Sequence, residues 1–285
     1  MIFFYFGGKK MSFKKNVIVF VLAVFSVCHG VAQDFPFALD KTWDSVMLGS
    51  SAVFAGGGYL WSKKADLPEF SSRSVDIDDV NPLDRHFARG YNENLDLVSD
   101  VGLVSVLAGV PLAFYGYKMY DGDLSFSNGI TLAAMYAESL LFVQGAKYTA
   151  KVLVHRVRPY MYFDGVPDDW EDDNGFQFSF FSGHASTVFM TAGFMTYTFS
   201  KIYPDSELKI PVIVTSYSLA ACVSLLRVAS GCHFVSDIAV GALFGTLVGY
   251  GIPMIHTRFA EKKIHEKGDV AIMPSASGIS FRMYL

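Results

Sequence analysis

The stretch Arg227-Val-Ala-Ser-Gly-Cys-His233-Phe-Val-Ser-Asp237 lies between two apolar stretches of the chain, residues 211–228 and 236–256. Each apolar stretch falls within the roughly 17–25 residues that a helix needs to cross a bilayer. Charged and imidazole groups are costly inside a bilayer, so the polar stretch between the two helices is expected at a membrane surface. The sequence therefore predicts two connected helices that present Arg227, His233 and Asp237 at one membrane face.

Four further apolar segments extend this pattern toward the N-terminus. The chain has 285 residues, of which 52% are hydrophobic, more than in an average soluble domain. The additional segments are residues 44–61, 98–117, 130–154 and 183–200. The predicted fold class is therefore all-α, an integral membrane bundle of about six helices. Residues 44–61 form the weakest segment, because it is short and rich in glycine, and we predict that it does not span the membrane.

The N-terminus has the pattern of a secretory leader. Four lysines between residues 9 and 15 precede an apolar run, and Gly30-Val31-Ala32 offers a small-residue cleavage site. We predict a signal peptide or signal anchor at residues 1–32, then an N-terminal region, residues 33–97, with the weak apolar segment and a solvated loop. Residues 98–257 form the predicted membrane domain, and residues 258–285 a C-terminal tail. The end of the tail alternates like a strand but has no visible partner in the sequence.

The distribution of charge predicts how the chain lies in the membrane. The net charge of −4 implies no general affinity for nucleic acid. Basic residues after the last helix favour a cytoplasmic C-terminus, and the acidic residues 163–181 favour the outside. The predicted location is a bacterial-type inner membrane, crossed several times, with the polar stretch facing the periplasm. The spacing of the acidic residues in 163–181 matches no ordered calcium loop, so we predict a hydrated loop and no metal site.

Two other polar clusters fall at helix ends on the same predicted side. In Lys151-Val-Leu-Val-His-Arg-Val-Arg158-Pro159, the first lysine and the last arginine would lie two turns apart on one face of a continuous helix. Ser182-Gly183-His184 begins the segment 183–200, where a helix N-terminus offers free N–H groups to an anion. Taken separately, each cluster also fits a structural role, as interfacial cations or as a serine N-cap.

The stretch from Arg227 to Asp237 carries the more specific signal. A helical turn would let Asp237 accept a hydrogen bond from one nitrogen of His233 and leave the other nitrogen free as a nucleophile. Arg227 can bind two oxygens of one phosphate, although an ion pair with Asp237 is the structural alternative. Together the three clusters supply the groups needed to hold a phosphoryl group, attack it and protonate the leaving oxygen.

In order along the chain, K-x6-R-P, S-G-H and R-x5-H-x3-D resemble the type 2 phosphatidic acid phosphatase family. That family shares its site with class A acid phosphatases and vanadium haloperoxidases, so the resemblance implies a helical core of that kind. It implies that His233 forms a phosphohistidine, Asp237 orients it and His184 is the general acid. The implied phosphate-holding residues are Lys151, Arg158, Ser182, Gly183 and Arg227. The sequence departs from the family at Phe181, where proline is usual, and at Leu226, where serine often precedes the arginine.

The implied function is a membrane phosphatase that hydrolyses a lipid phosphate monoester or pyrophosphate without a metal or cofactor. Its partners would be the lipid phosphate substrate and membrane lipid. The alternatives are a vanadate-dependent haloperoxidase, although those enzymes are soluble, a lipid phosphotransferase, and a non-enzymatic protein whose charges anchor helix ends. The sequence chooses neither the lipid nor an oligomeric state.

Polar residues outside the three clusters receive simpler interpretations. Glu138, Gln144 and Lys147 interrupt the segment 130–154, so part of that helix is predicted to face the bundle interior. Either a functional role or internal hydrogen bonding would explain Glu138. His256 lies near the end of the last apolar segment and is predicted to be a surface or interfacial residue, as are His86 and His265.

Overall fold

The structure is a computed structural model that describes residues 35–65, 75–166, 174–266, 270–275 and 278–283. Six long helices of the described residues form a bundle, and a short helix, α2, precedes the second of them. The helices are α1 (Lys41–Lys64), α2 (Pro82–Phe87), α3 (Glu93–Tyr120), α4 (Phe126–Val154), α5 (Gly183–Ile202), α6 (Lys209–Ala229) and α7 (Val235–Glu266). The predicted all-α bundle of about six helices is confirmed. The predicted leader, residues 1–32, lies outside the described residues.

Local sequence explains where the helices begin and end. The side chains of Asn92, Ser125 and Ser182 cap α3, α4 and α5 by accepting a backbone N–H of the first turn. Helix α4 ends where His155 adopts a left-handed conformation with φ 50°. Arg158 is extended, because the proline that follows it disfavours helical backbone. The prediction that Lys151 and Arg158 share one helix face is therefore wrong.

Helix α5 occupies the centre of the bundle and packs closely against α7. Most of its side chains are buried. On the facing side of α7, glycines recur every fourth residue at Gly241, Gly245 and Gly249. A Cβ atom at Gly245 or Gly249 would overlap backbone atoms of α5. Small residues at this spacing let two helix backbones approach each other, which sets the N-terminus of α5 beside the N-terminus of α7.

The outer surface of the bundle is apolar, as a bilayer requires. Within the described residues, four helical segments are long and apolar enough to cross a membrane: Glu93–Tyr120, Phe126–Tyr162, Lys209–Ala229 and Val235–Lys263. Large hydrophobic side chains such as Leu97, Leu225 and Leu243 are exposed on these helices. The protein is therefore a membrane protein. Helices α1 and α5 are not among the four segments.

The C-terminal tail contains a β-hairpin. Strand β1 (Val270–Ser275) pairs antiparallel with β2 (Gly278–Met283), so that residue 272 faces residue 281. Sequence alternation locates β2, but the expectation that this strand has no partner in the chain is wrong, since β1 lies immediately before it.

Candidate active site

His233 and Asp237 lie at the start of α7, and both side chains are buried. Asp237 Oδ2 accepts hydrogen bonds from the Phe234 N–H at 2.9 Å and from Ser179 Oγ at 2.5 Å. His233 Nδ1 lies 3.6 Å from the same oxygen and has no hydrogen-bond partner within the described ranges. This distance exceeds that of a hydrogen bond. Asp237 thus contacts the Nδ1 side of the imidazole without bonding to it, which leaves Nε2 as the nitrogen directed away from the carboxylate.

A second carboxylate shares a guanidinium with Asp237. Arg156 donates from Nη1 to Asp237 Oδ1 at 2.6 Å and from Nη2 to Asp84 Oδ2 at 2.7 Å. Ser236 bonds to Asp84 through both its N–H and its hydroxyl, at 2.8 and 2.5 Å. Both carboxylates are fully buried, so Arg156 neutralises charges that would otherwise be costly.

Sequence reasoning missed Arg156 and Asp84. Arg156 lies inside the first polar cluster but received no role, and Asp84 lies in the loop predicted to be solvated. That prediction is wrong at Asp84, whose side chain is fully buried. Burial raises the pKa of Asp84, but hydrogen bonds from Ser236, Arg156 and Asn81 outweigh burial and hold the pKa below its usual value. Asn81-Pro82 is a helix-start signal that marks the loop as structured, since Asn81 caps α2.

A tight turn delivers His233 to the site. Gly231 has φ +76°, a conformation that favours glycine. A Cβ atom there would meet the carbonyl oxygens of Arg89 and Gly90 at 2.5 Å. The Gly231 carbonyl accepts a hydrogen bond from the Tyr160 N–H at 3.0 Å. The turn is therefore fixed both by the segment before α3 and by the segment after α4.

Arg158 is anchored beside the same turn. Its Nε donates to the Gly175 carbonyl at 2.8 Å, and its Nη1 donates to the Cys232 carbonyl at 3.2 Å. The backbone N–H of Arg158 also donates to the Phe176 carbonyl at 2.8 Å. These bonds place a permanent positive charge next to the backbone of His233.

Arg227 and His184 are joined through carboxylates of α3. Asp100 Oδ1 lies 2.7 Å from His184 Nε2 and 3.7 Å from Arg227 Nη1. The same Nη1 donates to Ser99 Oγ at 2.8 Å and pairs with Asp96. The alternative ion pair between Arg227 and Asp237 does not form, because each residue has another partner.

Ser182 and Gly183 form the start of α5. Ser182 is the N-cap, since its Oγ accepts the Ala185 N–H at 3.3 Å, and its own N–H donates to the Asp237 carbonyl at 3.2 Å. A Cβ atom on Gly183 would lie 2.7 Å from Lys147 Cδ. Lys151 is partly buried in the last turn of α4. The peptide bond between Phe180 and Phe181, just before the N-cap, is cis.

The electrostatic surroundings favour neutral His233. Burial lowers the pKa of His233 well below its ordinary value, and the nearby charges of Arg158 and Arg227 lower it further against the opposing effect of Asp237. An imidazole must be unprotonated to act as a nucleophile. The site therefore keeps His233 in the form that nucleophilic attack requires.

Residues 131–261 match the family model of the PAP2 superfamily. These residues form a PAP2 domain. The PAP2 domain contains the whole span from Lys151 to Asp237, so the predicted resemblance to a membrane-bound PAP2-type phosphatase is confirmed at the level of the family. The buried partner Asp84 and the two carboxylates of α3 precede the matched region. The chemical roles of the individual site residues remain predictions.

Among solved structures, the chain is similar to that of the first transmembrane PAP2 type phosphatidylglycerolphosphate phosphatase from Bacillus subtilis. The two sequences are 18% identical, and the match covers 87% of this chain and 96% of the other, with a TM-score of 0.38. The search of curated proteins finds no match.

Proposed function

We propose that the PAP2 domain hydrolyses a lipid phosphate monoester or pyrophosphate. The proposal rests on one arrangement of side chains around the turn that holds His233. Arg158 bonds to the backbone of this turn, and His184 and Arg227 contact the same carboxylate, that of Asp100. A buried donor in this group, Arg227 Nε, has no hydrogen-bond partner in the part of the chain that the structure describes. Buried polar groups nearly always have partners, so an unpaired donor beside two histidines is consistent with a site for an oxyanion.

In the first proposed step, Nε2 of His233 attacks phosphorus in line with the bond to the lipid oxygen. The N–P bond forms as the P–O bond breaks, and His184 transfers a proton to the departing oxygen. Burial lowers the pKa of His184 to about 4, and the negative charge of a bound phosphate would raise that pKa so that His184 holds this proton. The contact between Asp237 and Nδ1 would shorten as the imidazole gains positive charge. Hydrogen bonds of this kind often tighten only when substrate is bound.

In the second proposed step, water attacks the phosphohistidine. His184, now neutral, takes a proton from that water, the N–P bond breaks, and inorganic phosphate leaves. His233 and His184 return to their starting protonation states, so the two steps balance. A transferase would use an alcohol in place of this water.

The positive charge for this chemistry would come from Lys151, Arg158 and Arg227. Stabilisation of charge on the transferring phosphoryl oxygens is the main requirement of phosphoryl transfer, and cationic side chains can supply it. The N–H groups at the start of α5 would add further donors. We therefore expect phosphate release to persist in the presence of EDTA.

The proposed location is a bacterial-type inner membrane, with the site facing the periplasm and the outer leaflet. The distribution of basic and acidic residues supports this orientation. Lipid phosphates in that leaflet would present their head groups at the depth of the helix ends that carry the site.

The test is phosphate release by detergent-purified protein from phosphatidate, phosphatidylglycerophosphate, undecaprenyl pyrophosphate and lipid A, with EDTA present. The wild type is compared with His233→Ala and with His86→Ala, which replaces an exposed histidine. Release by the wild type and the His86 control, but not by the His233 variant, would support the proposal and rank the substrates.

Other outcomes would redirect the assignment. Equal release by the His233 variant would remove His233 as the nucleophile. Phosphate transfer that requires an added alcohol would favour a phosphotransferase. No release from any lipid, together with bound vanadium and halide oxidation, would favour the haloperoxidase alternative.

A further inference from the structure

A second group of ionisable side chains lies at the opposite end of the bundle. Asp44 of α1, Glu138 of α4 and His256 of α7 each offer one ligand atom within 4.8 Å of the other two. Along α4, Glu138 is roughly 20 Å from Lys151, and along α7 His256 is roughly 28 Å from Asp237, at 1.5 Å per residue. The group is therefore separate from the candidate active site.

The three side chains of this group are buried and have few hydrogen-bond or ion-pair partners. Glu138 and His256 are fully buried and Asp44 is 5% exposed. Among the described residues, both oxygens of the Asp44 carboxylate and Oε1 of Glu138 have no hydrogen-bond partner. Within the described residues, His256 is the one cation paired with either carboxylate, and it can carry at most one positive charge. Two buried carboxylates and one imidazole therefore need a further positive charge.

The hydrogen bonds of His256 suit a metal ligand. Its Nδ1 lies 3.1 Å from the carbonyl oxygen of Ala38, to which it can donate, and its Nε2 lies 2.9 Å from Glu138 Oε2. Metal-binding histidines usually donate one ring N–H to a carbonyl or carboxylate and turn the other nitrogen to the ion. In that tautomer, Nε2 presents its lone pair toward the Glu138 carboxylate, and Asp44 Oδ1 lies 3.7 Å from the other ring nitrogen, Nδ1.

We infer that Asp44, Glu138 and His256 bind a divalent first-row transition metal ion. One imidazole nitrogen with carboxylate oxygens is a donor set that suits Zn²⁺. A dication would neutralise the two carboxylates. Zinc bonds of about 2.0–2.2 Å separate tetrahedral ligand atoms by roughly 3.4 Å, so small side-chain rotations would close the site.

The proposed ion would have a structural role. It would connect α1 to α4 and α7, and it would fix the segment before α1, where Phe37 and Ala38 are buried and the Ala38 N–H donates to the His256 carbonyl at 3.3 Å. It would take no part in the phosphoryl chemistry at the other end of the bundle.

Metal content gives the direct test. Tag-free wild-type protein, loaded with Zn²⁺ in detergent and freed of excess ion, should retain about one zinc per chain by mass spectrometry. Glu138→Gln and His256→Gln should each weaken zinc binding by at least about 100-fold, since even indirect partners of metal ligands contribute 10–100-fold. The matched controls, Glu207→Gln and His86→Gln, change exposed residues and should retain zinc.

A second measurement uses only the wild type, so that the inference can be tested even if a variant does not fold. Titration with Co²⁺ should give visible d–d absorption at one equivalent, and added Zn²⁺ should abolish that absorption and raise the unfolding temperature. Wild type without bound zinc or cobalt absorption would overturn the inference, and so would unchanged zinc binding in both variants. A proton on Asp44 would then be the occupant.

The outcome is independent of the proposed phosphatase activity. His233→Ala should retain the same zinc as wild type, because the two groups are far apart. Loss of zinc binding with preserved phosphate release would overturn only the metal inference, and a zinc-bound but inactive wild type would overturn only the proposed function.

Discussion

The two ends of the bundle place histidines beside carboxylates, but the charges are compensated differently. At the N-terminus of α7, one guanidinium, that of Arg156, bonds to both Asp84 and Asp237 at 2.6–2.7 Å. At the opposite end, no arginine of the described residues pairs with Asp44 or Glu138, and three of their carboxylate oxygens have no hydrogen-bond partner there. A satisfied carboxylate can hold a neighbour in place, whereas an unsatisfied pair requires an ion or a proton.

The largest expected effect is a loss of activity, and it concerns the active-site end alone. His233→Ala should lower kcat/KM for phosphate release by at least about 10⁴-fold, because removal of a nucleophile abolishes the covalent route. The unfolding temperature should change little in comparison. A residual activity within tenfold of wild type would contradict the proposed mechanism, and His86→Ala controls for loss of protein in purification.

The second prediction concerns Arg156, whose positive charge compensates two buried carboxylates at the active-site end. Arg156→Gln leaves two buried carboxylates without their cation, so the free energy of unfolding should fall by about 3–5 kcal/mol. Chemical unfolding in detergent measures the change. The control, Arg85→Gln, breaks an ion pair with Asp78 of similar length whose side chains are 39% and 78% exposed.

The exposed pair should contribute less than about 1 kcal/mol. If the two arginine variants were equally stable, burial would not determine how much these ion pairs contribute to the free energy of unfolding. The proposed difference in charge compensation between the two ends would then be wrong.

A smaller effect of opposite sign is expected at the other end. In EDTA, Asp44→Asn removes one of two buried carboxylate charges that share the single imidazole of His256, so the protein should gain about 1 kcal/mol and unfold roughly 2–4 °C higher. In zinc the same variant should lose the stabilisation that the ion gives to wild type. Asp205→Asn, at an exposed position, should shift neither value.

A lower unfolding temperature of Asp44→Asn in EDTA would show that the ion pair of Asp44 with His256 outweighs the cost of burying the Asp44 charge. Calorimetry or scanning fluorimetry, repeated with and without zinc, measures both shifts.

The smallest predicted effect concerns pH. Because burial lowers the pKa of His233, the imidazole stays neutral as pH falls through the usual histidine pKa of about 6.5. The acid limb of kcat/KM should therefore lie below about pH 6.5. Samples returned to neutral pH control for acid unfolding, and a limb at or above that value would contradict the assignment.

The sequence predicted the long helices and the gathering of the three motifs, because apolar length and motif order are local properties. It did not predict the pairing of Arg156 with Asp84, since the two residues are 72 positions apart and no spacing rule connects them. The loop that contains Asp84 has a hydrophilic sequence. Asp84 nevertheless bonds to Arg156 and Ser236, which lie within the candidate active site.

His256 shows the same limit at the other end. Its position near the end of an apolar segment indicates an interfacial residue, but it is fully buried. The reason lies far away in the chain: the segment before α1 folds over α7, and Ala38 accepts a hydrogen bond from His256. Internal hydrogen bonding was one of two explanations left open for Glu138, and its bond to His256 supports that one.

The close packing of α5 on α7 also constrains how a lipid reaches the site. Gly241, Gly245 and Gly249 bring the two backbones into contact along this interface. An acyl chain cannot pass between helices whose backbones touch. A lipid substrate of the proposed enzyme must therefore approach His233 through a different gap between helices, and that gap will contain the side chains that distinguish one lipid from another.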